Sequence, residues 1–212
     1  MNINDKILIV KAPESGQGSS NSAITFGEFL TLLSKGLHAP LPVFSGDFVT
    51  QQMTAATLTT TSGAANRLDF IPFLPARTIT INQLAIEITK AASENAEVRL
   101  GVYSSTSDGL PDQILAQSDG VLDAGSTGIK TSDIPNLTLN AGTLYWLAVH
   151  NSGAPTFRGI RFSALVALGP NSGTTTTYTC RRTTQPFASG LPTQPTTTLA
   201  SSSLPWFRLR IA

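Results

Sequence analysis

Residues 137–149 read Leu-Thr-Leu-Asn-Ala-Gly-Thr-Leu-Tyr-Trp-Leu-Ala-Val, and this run decides the fold. It describes a hairpin entering a central, buried strand. Leu137-Thr138-Leu139 alternates apolar and polar residues, as a half-buried strand does. Asn140-Ala141-Gly142 marks a turn, and Gly142 permits the backbone conformation a tight turn needs. Residues 144–149 can then be apolar on both faces if another layer covers them.

Working outward, the same kind of short run recurs. Candidate strands are 68–73, 78–81, 84–89, 98–103, 114–118, 120–122, 128–131, 137–139, 144–150, 159–168, 174–180 and 205–211. Between them stand turn signals such as Asp108-Gly109-Leu110-Pro111, Asp119-Gly120 and Ser152-Gly153. Many short strands with this punctuation predict a mainly β chain folded as an antiparallel β-sandwich of jelly-roll type. No alternation of strand and helix suggests a parallel nucleotide-binding sheet.

The alternation also assigns faces. Val98, Leu100 and Val102 point one way, with Arg99 and Tyr103 opposite. Near the end, Phe207, Leu209 and Ile211 alternate with Trp206, Arg208 and Arg210, so one set faces the core. Residues 183–203 are low in charge and rich in Thr, Ser and Pro. Because a strand follows them, they are expected to form a long loop across a surface rather than a linker.

The beginning of the chain differs from the rest. Residues 6–11 suit a strand, and 12–22 read as a flexible loop. A helix is predicted over about 25–36. Thr25 and Glu28 have capping-box spacing, and Phe26, Phe29, Leu30, Leu33 and Leu37 line one face. Gly36 supplies a C-cap, and Pro40 and Pro42 prevent continuation. Such a helix is marginal alone in water and must dock, on its own domain or on a neighbouring subunit. The expected organisation is an anchoring arm over 1–48, with these five apolar residues as docking candidates, and a sandwich over 49–212.

Composition limits function. Among 212 residues there are 14 Lys and Arg against 13 Asp and Glu, for a net charge of +1. That gives no bulk attraction to nucleic acid or to an anionic membrane. No apolar run approaches the roughly 18 residues of a membrane span. The only early apolar run, residues 7–10, is too short for a signal-peptide core, so cytosolic synthesis is expected. One cysteine, Cys180, and two histidines, His38 and His150, exclude a disulfide framework and a Cys-rich zinc site.

No catalytic constellation stands out, and no enzymatic activity, metal or cofactor is expected. There is no Gly-x-Ser-x-Gly elbow and no phosphate-cradling Gly-rich loop. His150 ends a strand and reads as a hydrogen-bonded structural residue. His38 follows the helix, where a cation complements the dipole. Glu87, Glu94, Glu97, Asp108 and Asp112 are the carboxylates available to a glycosidase pair, and most fall in turns or on solvent faces. Asp108, Asp112, Asp119 and Asp123 could supply oxygen to a structural calcium but lack EF-hand spacing. Cys180 reads as an inert buried thiol. Of the aromatics, Phe157 in Gly153-Ala-Pro-Thr-Phe-Arg-Gly159 reads as loop-borne. With Arg158 and Trp206 it makes the set of candidate glycan contacts.

Val-Arg-Leu-Gly-Val-Tyr (98–103), Asp-Gly-Leu-Pro-Asp (108–112), Ile-Leu-Ala-Gln-Ser (114–118), Gly-Ser-Thr-Gly-Ile-Lys-Thr (125–131), the run 137–149 and Ala-Pro-Thr-Phe-Arg-Gly (154–159) follow in order. Together, from Ile79 to about Ile160, they resemble the jelly-roll modules of bacteriophage virion proteins, including tail-fibre, spike and capsid-decoration proteins. Those modules look like carbohydrate-binding β-sandwiches. The resemblance implies a virion structural protein exposed on the particle, made in the host cytoplasm, without a cofactor. It would stabilise the capsid as a decoration or cement protein, or form a small fibre or spike for host attachment. The implied partners are copies of itself, as a homotrimer, other capsid or tail subunits, and a host surface glycan. A carbohydrate-binding module without catalysis is the alternative.

Overall fold

The structure is a computed structural model that describes residues 6–10, 21–25, 43–51, 58–161, 163 and 178–212. The chain divides into two compact units, Met1–Pro42 and Val43–Ala212. In the first, β1 (Lys6–Val10) pairs antiparallel with β2 (Asn21–Thr25), Lys6 opposite Thr25 and Val10 opposite Asn21. Asn21 and Ser22, expected to end a loop, belong to β2, as does the capping residue Thr25. Phe26, Phe29, Leu30, Leu33 and Leu37 of the expected helix lie outside the described residues, and so does His38.

The second unit carries β3 (Phe48–Val49), β4 (Leu58–Ser62), β5 (Arg67–Phe73), β6 (Ile79–Lys90), β7 (Glu97–Ser105), β8 (Pro111–Gln117) and β9 (Leu122–Asp123). It continues with β10 (Gly128–Leu139), β11 (Tyr145–Asn151), β12 (Thr156–Ile160), β13 (Cys180–Thr184), β14 (Thr198–Ala200), β15 (Leu204–Pro205) and β16 (Arg208–Ile211). They form two seven-stranded sheets. In the first sheet β6 is central: β10 lies along one side, and β12 and β16 share the other. β4 and β15 extend from β12, and β3 from β16. In the second sheet the order is β14-β13-β5-β11-β7-β8, with β9 also on β7. Every pairing is antiparallel, and the sheets pack as a sandwich.

The predicted faces set the core. Val98, Leu100 and Val102 of β7 are fully buried between the sheets with Leu147 and Val149 of β11. Opposite them stand Leu84, Ile86 and Ile88 of β6 and Phe207, Leu209 and Ile211 of the C-terminal segment. Each such side chain contributes about 2 kcal/mol of burial. Arg208 and Arg210 face outward, as the alternation requires.

Several boundaries differ from expectation. Residues 78–81 and 84–89 are one strand, β6, and residues 128–131 and 137–139 are one strand, β10. What separates the halves of β10 is a register shift between Asp133 and Leu137, a bulge rather than a turn. Strand β12 starts at Thr156 and ends at Ile160, so Phe157 is strand-borne. Phe48 belongs with the second unit, since Arg210 pairs with it and Gly46 N–H donates to Ile211 O at 3.0 Å.

Strand β11 is buried along its whole length. The covering layer on its outer side is the segment 185–197, which crosses the second sheet as a strap. Beneath it lie Leu68, Phe70, Tyr103, Trp146 and Ala148, with Leu191 of the strap packed against them. Phe70 and Tyr103 meet edge to face, centroids 5.2 Å apart. The strap is fastened at intervals. Gln185 N–H and Phe187 N–H donate to Asn66 O and Oδ1, each at 3.0 Å. The Tyr103 hydroxyl donates to Pro192 O at 2.8 Å. Gln194 Nε2 reaches Asp112 Oδ1 at 3.3 Å, and Arg181 Nε reaches Thr197 Oγ1 at 2.7 Å.

Candidate functional site

The three glycan-contact candidates separate. Phe157 is 1% exposed, with its ring in the sandwich core, so it presents no platform to a sugar. Its neighbour Arg158 points the other way, because side chains alternate across β12. Arg158 and Trp206 are brought together: Trp206 N–H donates to Arg158 O at 2.9 Å, beside the β12–β15 pairing of Gly159 with Pro205. A Cβ on Gly159 would stand 2.8 Å from Leu204 O, so glycine there lets the two backbones approach closely.

Two residues the sequence reading did not place in the site complete it. Glu87, on the outer side of β6, takes Arg158 Nη2 on Oε1 at 3.2 Å. Its other oxygen, Oε2, lies 3.8 Å from Arg208 Nη2, an ion-pair contact too long for a hydrogen bond. The Arg208 guanidinium carbon sits 5.1 Å from the Trp206 ring centroid, a cation–π contact. Arg208 was visible as one face of an alternating strand and Arg158 as part of an expected loop, but Glu87 joins them only through the β6–β16 and β6–β12 pairings.

Hydrogen bonding here is incomplete. Trp206 Nε1, Arg208 Nε and Arg208 Nη2 are buried atoms with no hydrogen-bond partner. A buried donor left unpaired costs about 1–3 kcal/mol. These three donors, two of them on the Arg208 guanidinium, lie near a second guanidinium, Arg158, and a single carboxylate, Glu87, which makes a site short of acceptors.

Elsewhere a concavity of about 580 Å³ opens between β8 and β10, lined by Gln117, Ser118, Asp119, Asp133 and Ile134 among others. Its lining holds two carboxylates but no aromatic ring and no cationic side chain, so it offers neither an aromatic stacking face nor an ion-pair partner for an anion.

The remaining candidate chemistry is structural in its surroundings. His150 is fully buried, with Nε2 3.2 Å from Gln185 O and its ring 5.0 Å from that of Phe187. Burial above all, with the Arg99 charge adding to it, holds its pKa below the ordinary 6.5. Cys180 is fully buried, and burial pushes its thiol up to about 11, which suppresses the reactive thiolate at neutral pH. Of the turn aspartates, Asp123 accepts from Gly125 N–H, from the Ser126 hydroxyl and from Lys130 Nζ. The hydrogen bonds from Ser126 and Gly125 are the main reasons its carboxyl is held below the usual range. Among the described residues no group of three or more His, Cys, Asp or Glu side chains is placed to hold a metal ion. No helix among them is long and apolar enough to cross a membrane.

Compared with family models and with curated proteins, the chain matches none.

Proposed function

We propose that this chain is a structural protein of a phage-type virion, exposed on the particle, whose β-sandwich works by contact and whose N-terminal unit is the tether. One observation carries the reading. The segment resembling virion jelly-roll modules, residues 79–160, builds β6 to β12, which supply the middle of both sheets. The division of the chain at Pro42 supports a separate role for the leading unit. In this reading the protein assembles as a homotrimer on capsid or tail subunits. It acts as a decoration protein or as a small fibre or spike, and has no catalytic duty.

The test is the mass of the full chain in solution and its presence on purified particles, with and without residues 1–42. The expected outcome is a trimer that binds particles, and a shortened chain that stays folded but no longer assembles. A monomer that never associates with particles, or a protein that turns over a polysaccharide, overturns the reading. The cluster of Arg158, Trp206 and Arg208 favours one second reading, a carbohydrate-binding module without catalysis.

A further inference from the structure

The Nε–H and Nη2–H of an arginine lie on one edge of the guanidinium and together form a fork that matches the two oxygens of a carboxylate. In Arg208 that whole edge makes no hydrogen bond. The indole N–H of Trp206, in the cation–π partner of the same guanidinium, is equally unused. The nearest carboxylate, Glu87, does not fill the fork: it is engaged with Arg158 at 3.2 Å and stands 3.8 Å from Arg208.

We infer that this face binds an acidic saccharide, a uronic or sialic acid residue, whose carboxylate takes the Arg208 fork. The indole N–H of Trp206 donates to the same group or to an adjacent hydroxyl, and Arg158 closes on it from the rim. The proposal rests on the reading of the sandwich as a contact module and names its ligand. A sugar acid fits better than an acidic protein side chain because the site pairs a planar anion-binding fork with an indole. Sugars combine carboxylate and hydroxyl acceptors with C–H faces that pack on aromatic rings. Glu87 restrains the site by competing for both guanidiniums. The three donors are shielded from solvent, so covering groups must move aside on entry, and association is slower than an open surface allows. Once made, bonds in so dry a place are stronger than their solvent-exposed equivalents.

The chain has two tryptophans, Trp146 under the strap and Trp206 in the site, so their indole N–H resonances give a signal and an internal control. The full chain is titrated with glucuronate- and N-acetylneuraminate-terminated oligosaccharides, and with uncharged oligosaccharides of the same length. An acidic sugar should move the Trp206 signal and leave Trp146 in place, and the uncharged sugars should move neither. Glu87→Gln should tighten binding several-fold. Arg208→Lys, which keeps the charge and loses the fork, should weaken it by about tenfold or more.

Equal binding of charged and uncharged sugars, or saturation without movement of the Trp206 signal, overturns the proposal. So does a folded Arg208→Lys protein that binds normally. If Arg208→Lys does not fold, the wild-type titration and Glu87→Gln decide alone. A Trp206 signal that follows protein concentration instead of sugar means that a neighbouring copy fills the fork, which also overturns it. Acidic-sugar binding by a chain that never associates with particles keeps the site and sinks the virion reading, so the two failures are distinguishable.

Discussion

Leu191 Cδ1 of the strap lies 2.8 Å from the point where a Cβ on Gly101 would stand. The strap is therefore seated into a notch that only glycine leaves open, with Tyr103 Cε2 closing the other side at 3.4 Å. Gly101→Ala should push the end of the Leu191 side chain aside and cost about 1 kcal/mol, the low end of overpacking, since that side chain is flexible and only partly buried. Leu191→Ala removes the obstruction, so the double variant should lose less than the two single losses added together. Urea unfolding of all four proteins measures this. Strict additivity would mean that the strap does not depend on this contact.

His150 fastens the same strap from below, and its protonation should loosen it. Its folded pKa lies below 6.5, chiefly because burial disfavours the charged ring, and Arg99 opposes the charge too. The unfolded chain, with an ordinary imidazole, binds the proton more readily. By linkage, stability is complete above about pH 6.5 and declines as pH falls below that value, until the folded ring also titrates. The urea midpoint should thus drop as pH falls below about 6.5, and His150→Gln should flatten that slope. Identical slopes in the two proteins would assign the effect to other groups.

Asp69 is 1% exposed and sits between Arg67 Nε at 2.9 Å and Arg182 Nε at 2.5 Å, tying β5 to β13. Removing one partner from a buried ion network leaves the others uncompensated. Because both guanidiniums retain some solvent contact, Asp69→Asn should cost about 2–3 kcal/mol rather than the full penalty of a sealed pair. The rim pair of Arg158 with Glu87 makes the comparison, since Arg158 is 38% exposed and such pairs are worth about 1 kcal/mol or less. Equal losses for Asp69→Asn and Glu87→Gln, in thermal or urea melts, would refute the distinction.

The sequence makes some of this legible and hides the rest for physical reasons. A strand buried on one face advertises itself, as Val98-Leu100-Val102 and Phe207-Leu209-Ile211 do, because the alternation is the burial. The apolar run 144–149, most of β11, announced a second covering layer, and the Thr- and Pro-rich stretch before β16 was recognisable as surface-crossing. Its anchor points were not: Asn66, Gly101 and Arg99, whose Nη1 donates to Phe187 O at 2.6 Å, carry no local sign of a partner about ninety residues or more away in sequence. Phe157 was misplaced because Gly153 and Pro155 resemble a loop, while the strand begins at Thr156. Strand β4, Leu-Thr-Thr-Thr-Ser, went unread because at the edge of a sheet its threonines alternate in exposure without alternating in polarity. Within the site, Arg158 and Trp206 could be named but the unpaired edge of Arg208 could not. An unmade hydrogen bond is a property of the assembled face.

Gln51 supplies the last test, because its side chain repairs the break between β15 and β16. It is 2% exposed; Nε2 donates to Pro205 O at 2.6 Å, and Oε1 accepts from Phe207 N–H at 2.9 Å. One amide thus satisfies the backbone on both sides of Trp206, where the strand pairing lapses. Gln51→Ala would leave two buried backbone groups without partners, at about 1–3 kcal/mol each, so a loss of about 2–6 kcal/mol is expected. The disturbance should centre on residues 205–207. The Trp206 indole signal should therefore shift in a Gln51→Ala protein that remains folded, while Trp146, in the other sheet, should not respond. Unchanged stability, or an equal response from both tryptophans, would show that Gln51 does not hold the chain at Trp206.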